Sequence, residues 1–350
     1  MRKLLNLLVL LPYSVFAQNI DNSLEKTTQA FEHLEVGASV GTTGIGIELS
    51  TPINHRLQLR AGISYMPTIS SVASFSMSSV GGNGQVDENG QSILNEEKTE
   101  RLAELLGCLI NNNEIDNKVD MDRRLGYFNA KLLVDWFPFE HNKKWHYTTG
   151  LFVGSKQVAK ICNTIEESPT AIAMIMYNNM YDQIQHLQPG EFPTVSVGNH
   201  SFELDPAAGQ GVIDAFNYYG RVAVQMGQLE NGNYFYIDPD KNGMLKAEGL
   251  VNLVKPYVGF GYKNSFGADK RWNFGFDAGL MIWGTPKIIC DGYEYIDDTS
   301  LEYSSRLVRK QVDLVNELKG VGGVVGKYIN VIKAFPVLPV IEVKLSYKIF

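Results

Sequence analysis

The sequence predicts an all-β membrane barrel of eight antiparallel transmembrane strands with helix-containing extracellular loops. Three observations predict it. Segments of about ten residues alternate between apolar and polar or small side chains, all four tryptophans (Trp136, Trp145, Trp272, Trp283) sit near the ends of such segments, and the faces opposite the apolar ones carry charges of both signs. Successive strand side chains point to opposite faces, and about ten residues is the length of a tilted transmembrane strand. A soluble sandwich alternates too. The tryptophan placement is that of an aromatic girdle, and Arg60, Lys131 and Lys344 against Asp135, Asp277 and Glu342 can neutralise one another inside a small barrel.

Taken in order, Arg2-Lys3, the apolar run Leu4–Leu11 and the small-residue site Ser14–Ala17 predict a secretory signal peptide over residues 1–17. No cysteine follows it, so lipoprotein anchoring is not expected. Residues 18–350 are then the barrel. Without Arg2 and Lys3 the chain holds 29 basic and 38 acidic residues, a net charge of −9 that argues against nucleic acid as a partner. With 44% hydrophobic residues it is not disordered, and three cysteines are an odd number that makes no disulfide scaffold.

The first strands are Leu34–Val40 and Ile45–Leu49. Their apolar positions change from even to odd across Gly41-Thr42-Thr43-Gly44, which predicts a tight turn there rather than a bulge. Segments 57–65, 128–136, 145–153 and 272–282 alternate, with Leu133 and Phe152 falling on the polar or small face; 255–261 and the C-terminal 340–349 complete eight. Short connections fall at Thr51–His55, Pro138–Lys143 and Lys263–Lys270, and long ones at about 67–122, 161–246 and 286–336. Short periplasmic turns and long extracellular loops are the bacterial pattern. Within the long connections, 92–110, 170–187 and 304–319 have helical spacing, packed over the barrel mouth, and 217–237 adds a strand or two above the membrane. Were such segments wall strands, the barrel would have ten or twelve.

The last residues, Val340 to Phe350, place Ile341, Val343, Leu345, Tyr347 and Ile349 on one face before a terminal phenylalanine. This resembles the C-terminal strand of bacterial outer-membrane β-barrel proteins. The usual pattern has a tyrosine two residues before the end, whereas Tyr347 lies three before it. The glycine-rich run Val36–Glu48, with Leu132–Pro138 and Lys255–Gly261, is similar to small outer-membrane barrels common among gut anaerobic bacteria. That resemblance covers the strands from about 34 to 350 and not the long loops. It implies an outer-membrane location in a Gram-negative cell, contact with outer-membrane lipids, and recognition of the C-terminal strand by the barrel-assembly machinery.

Candidate chemistry is sparse. Asp238-Pro239-Asp240-Lys241-Asn242-Gly243 imitates the start of a calcium loop, but Glu248 is one position short of the bidentate ligand, so the run is expected to be a turn. The six histidines (33, 55, 141, 146, 186, 200) lack metal-ligand spacing, and His200-Ser201 with Glu203 and Asp205 is not a triad, since adjacent strand residues face opposite ways. Glycines such as Gly259 and Gly261 relieve crowding on the lumen face. No catalytic, cofactor or metal residue is assigned. The expected function is non-enzymatic: surface binding, adhesion or an envelope role carried by the loops, with an extracellular ligand or envelope protein as partner. The alternatives are a porin-like channel for small solutes and a lipid-modifying enzyme.

Overall fold

The computed structural model describes residues 31–80, 118–139, 143–319 and 336–350, apart from short breaks at 165–167, 193, 198–199, 204–205, 241, 297–299 and 302–305, and it adds positions 101, 103, 104 and 106. The signal segment, Cys108, His141 and most of 92–110 lie outside the described residues. Arg101, Ala103, Glu104 and Leu106 are helical.

In chain order come β1 (Glu35–Gly41), β2 (Gly44–Pro52), β3 (Leu57–Val80), β4 (Lys118–Trp136), β5 (Trp145–Gly154) and β6 (Gln157–Asn163). There follow α1 (Ser168–Gln185), β7 (Thr194–Val197), β8 (His200–Glu203), α2 (Pro206–Tyr219), β9 (Arg221–Leu229), β10 (Tyr234–Ile237) and β11 (Lys246–Leu250). The chain finishes with β12 (Val254–Phe266), β13 (Trp272–Ile282), β14 (Lys287–Tyr295), β15 (Leu307–Asp313), β16 (Leu318–Lys319) and β17 (Val337–Lys348).

Eight strands close on themselves in the order β1-β2-β3-β4-β5-β12-β13-β17, every pair antiparallel. These are the eight that alternation picks out, so the ten- and twelve-strand alternatives fall. The Gly41–Gly44 reset is a turn: Thr42 and Thr43 join β1 to β2, and Gly44 takes φ +91°, a conformation open to glycine. Outward positions are exposed and apolar, among them Ile47, Ile63, Leu132, Leu280, Ile341 and Leu345, each more than 40% exposed. Such a band is unfavourable in water and is what a lipid-facing wall requires. Closure leaves no unpaired edge in the hydrocarbon. Among the described residues no helix is long and apolar enough to cross a membrane.

At the near end, where β1 begins and β17 finishes, short turns join the strands. Asn54 Oδ1 caps one of them by accepting from the amides of Arg56 and Leu57, at 2.8 and 2.9 Å. At the far end five wall strands do not stop. β3 and β4 remain paired from Leu57↔Trp136 to Ser76↔Lys118, β5 continues as β6, β12 is the continuation of β11, and β13 runs on into β14. Much of what the sequence places in loops at 67–122, 161–246 and 286–336 is therefore sheet. The extensions meet β9 and β10 in a second closed circuit, β3-β9-β10-β14-β11-β6-β4. Seven antiparallel neighbours cannot alternate around a simple cylinder, so this wall folds over where strands exchange partners. β3 is paired with β4 as far as Ser76 and with β9 from Met77, and β14 leaves β11 for β10 between Cys290 and Tyr293.

Of the segment 304–319, expected as a helix, residues 307–319 form β15, a turn and β16 instead. β15 lies along the edge of β14 opposite to β10 and β11, and those backbone bonds outweigh the weak helical preference of Leu307–Asp313. Residues 217–237 do supply strands, β9 and β10, and neither joins the membrane wall. The methionine-rich helix α1 packs Met174, Tyr177 and Tyr181 into the core of the body, and Asn178 pairs with both backbone groups of Val222 on β9, at 2.8 and 2.9 Å.

Candidate functional site

The lumen shows what the barrel can do. Inward side chains from six of the eight strands form one ionic layer. Arg60 on β3 lies fork-on to Asp135 of β4, with Nη2–Oδ1 at 2.9 Å and Nε–Oδ2 at 2.8 Å, and its Nη1 reaches Asp277 of β13 at 2.6 Å. Lys131 Nζ stands between Glu342 of β17, at 2.9 Å, and Glu48 of β2, at 3.0 Å. Lys344 also meets Asp277, at 2.5 Å, while His146 of β5 places Nε2 3.1 Å from the other Asp277 oxygen. Thr148 donates to Asp135 at 2.8 Å, and Thr43 from the β1–β2 turn donates to Glu342. Arg60, Lys131, Asp135 and Asp277 are each 3% exposed or less.

The geometry follows from the pleat. Even positions on β3 and odd positions on β4 and β13 face inward, so each charge arrives on the lumen side without strain. Gly261 on β12 makes room for the layer: a Cβ there would lie 2.1 Å from Asp277 Oδ1 and 2.5 Å from His146 Nε2. Charges this buried persist only when paired and hydrogen-bonded. The six charges that alternation marked as inward all join the layer. Glu48 and His146 belong to it as well. Their signal was equally local, since Glu48 stands between outward Ile47 and Leu49, and His146 between outward Trp145 and Tyr147.

Beyond the ionic layer the lumen turns apolar. Leu133, Phe152, Tyr257, Met281 and Val340 pack together, each 3% exposed or less. Alternation assigned Leu133 and Phe152 to the small or polar face, and their role in closing the tube was missed. Toward the near end, the space beside Arg60 and His146 has a volume of only ≈ 20 Å³, room for about one water molecule. Past the apolar layer, Tyr127, Val158 and Val251 pack with Met66, Trp283 and Leu338 as a partition between barrel and body.

The remaining sequence candidates do not come together. Asp238 is bound by Arg221, Nη2–Oδ2 2.6 Å, and the same guanidinium reaches Asp182 on α1 at 2.5 Å, tying helix to sheet. Burial pushes the Asp238 carboxyl up, with Arg221 opposing it. Asp240 Oδ1 accepts from the amides of Asn242 and Met244, and its Oδ2 lies 2.6 Å from Lys246. The two leading carboxylates of the calcium-like run thus face cations of the chain, and the run is the expected turn. Among the described residues no cluster of three His, Cys, Asp or Glu side chains could hold a metal ion. His200 lies on β8, paired through Val197 with β7, apart from the large sheet. Cys162 and Cys290 are free and buried on the two strands flanking β11, so they stand about 10 Å apart and beyond disulfide reach.

No family model matches the chain, and no curated protein matches it in sequence. Solved structures similar to it include CarO of Acinetobacter baumannii, at 14% identity and a TM-score of 0.35, with 90% of this chain and 97% of that chain covered. Another is Acinetobacter baumannii CarO2, at 16% identity and a TM-score of 0.33, covering 92% and 100% respectively.

Proposed function

We propose that this protein is a non-conducting, non-enzymatic barrel of the Gram-negative outer membrane that works by binding at the cell surface through the body on its far end. The observation that carries the reading is the closed lumen. An ionic layer spanning six strands, backed by five packed apolar side chains, leaves no continuous path for a solute, as expected for an eight-stranded barrel whose interior side chains just fill it. Orientation follows the bacterial rule that short turns face the periplasm, which sets the folded body outside the cell. The exposed apolar face of β17, with Ile341, Val343 and Leu345, supports recognition by the barrel-assembly machinery. Kinship with the glycine-rich barrels of gut anaerobes, implied by residues 36–48, belongs to the same proposal.

Planar-bilayer recording of the purified full chain tests the reading. The expected result is no stepwise conductance. Reproducible unitary steps would overturn it in favour of the porin-like alternative.

A further inference from the structure

Protein interiors hold few voids larger than a water molecule, and each cubic ångström left empty costs stability. The body carries a far larger space, open on one side. Directly beyond the Tyr127–Val251–Trp283 partition lies a cavity of ≈ 460 Å³, within the range of about 300–1,000 Å³ typical of small-molecule sites. Its wall is hydrocarbon: Phe75, Met121, Ile161, Ile237, Ile288 and Leu314 all face it. The volume arises where neighbouring strands set small residues side by side. Gly249 pairs with Ala159, Ala247 lies next in line, and all three line the cavity.

Two features say what such a space takes. The first is its mouth. Ile69 and Leu125, paired across β3 and β4 just past the bulge at Pro67–Thr68, line the cavity and are nevertheless 58% and 39% exposed. Like Phe75 and Met121 they sit on the inward face, and β2 stops pairing with β3 at Ile45↔Tyr65, so the cavity opens above the β1–β2 turn, beside the exposed apolar side chains of Val40 and Ile45 at the end of the lipid-facing wall. The second is its rim. Among the described residues Arg123, Arg124 and Lys287 line it, with Asp122 the carboxylate beside Arg124, at 2.8 Å. An apolar bore with a net cationic rim at a membrane surface is complementary to one alkyl chain bearing an anionic head.

We propose that this cavity binds a single-chain anionic amphiphile drawn from the outer leaflet, chain inward and head on the Arg123, Arg124 and Lys287 rim. The inference rests on the orientation given under the proposed function and names the ligand class of that surface site.

Trp283 on the cavity wall provides the assay. With Trp136, Trp145 and Trp272 each replaced by Phe, the full chain in a maltoside detergent is titrated with 9,10-dibromostearate, whose bromines quench an indole on contact. The expected result is saturable quenching of Trp283, reversed by plain stearate. A companion protein retaining only Trp145, on the outer wall near the opposite end, should show linear quenching from micelle partition alone. Ala247→Phe fills the cavity and should weaken the saturable phase at least tenfold, with Ala159→Leu as the substitute if that variant loses its heat-modifiable gel shift. Lys287→Glu should weaken dibromostearate several-fold and leave the neutral dibromo-alcohol unchanged. Linear quenching at both tryptophans, or a saturable phase untouched by the filling variants, would overturn the proposal. The bilayer recording is independent: a silent barrel without saturable quenching refutes the ligand alone, and a conducting barrel with it refutes the closed lumen alone.

Discussion

Arg60→Met is the sharpest test of the closed lumen. Arg60 is 2% exposed and holds Asp135 by two contacts and Asp277 by one, with Glu48 at 3.6 Å. Methionine fills similar length but removes the charge, leaving Lys131 and Lys344 to face Glu48, Asp135, Asp277 and Glu342. Breaking a buried pair by deleting one partner costs about 3–5 kcal/mol, because the other partner stays buried and uncompensated. A loss in that range lowers the folding constant by roughly two to four powers of ten. Arg60→Lys keeps the charge but loses the planar fork that grips Asp135 at two points, so it should fall between the wild type and Met. Reversible urea unfolding in lipid vesicles, followed by tryptophan fluorescence and gel mobility, measures both. A loss below about 1 kcal/mol for Arg60→Met would mean that water reaches the carboxylates, and the sealed interior would have to be given up.

Three further outcomes are expected. Leu280→Arg, at a wall position 47% exposed, should cost about 2–4 kcal/mol and cut membrane yield, whereas Asn273→Arg, inward and close to a turn, should assemble; equal heat-modifiability of the two would show the facing to be wrong. Burial, aided by Asp291, pushes the Cys290 thiol up to about 12, so maleimide at neutral pH should label it roughly a thousandfold more slowly than an exposed cysteine; rapid labelling before denaturation would contradict its burial in the core of the body. Burial would raise the Glu294 carboxyl, but the amides of Asn233 and Asn231 and the nearby Lys310 hold it below its ordinary value. Its contribution is therefore present above about pH 4.5 and lost as pH falls through the depressed value, so hydrogen exchange across the β9–β10 turn, corrected for intrinsic rates, should rise on acidification; unchanged protection, or no effect of Glu294→Gln, would count against it.

The membrane barrel could be read from the sequence because a strand declares its faces locally. Whether Arg60 or Leu59 points inward depends on parity alone, so the eight wall strands, the Gly41–Gly44 turn and the six inward charges all follow from residues a few positions apart. Glu48 and His146 obeyed the same rule and needed only to be counted. The body could not be read this way. The bulge at Pro67–Thr68 moves the inward face of β3 from even positions at Gln58, Arg60 and Ser64 to odd ones at Phe75 and Met77, which erases the alternation a sequence window detects. β15 became a strand because β14 offered it an edge, and that edge belongs to another part of the chain. The cavity is further still from sequence: Gly249, Ala159 and Ala247 are unremarkable singly, and they make a space only where β6 and β11 meet. Parity is a property of one strand, and the sequence by itself determined it; volume arises between strands distant in sequence, and only the tertiary structure decided it.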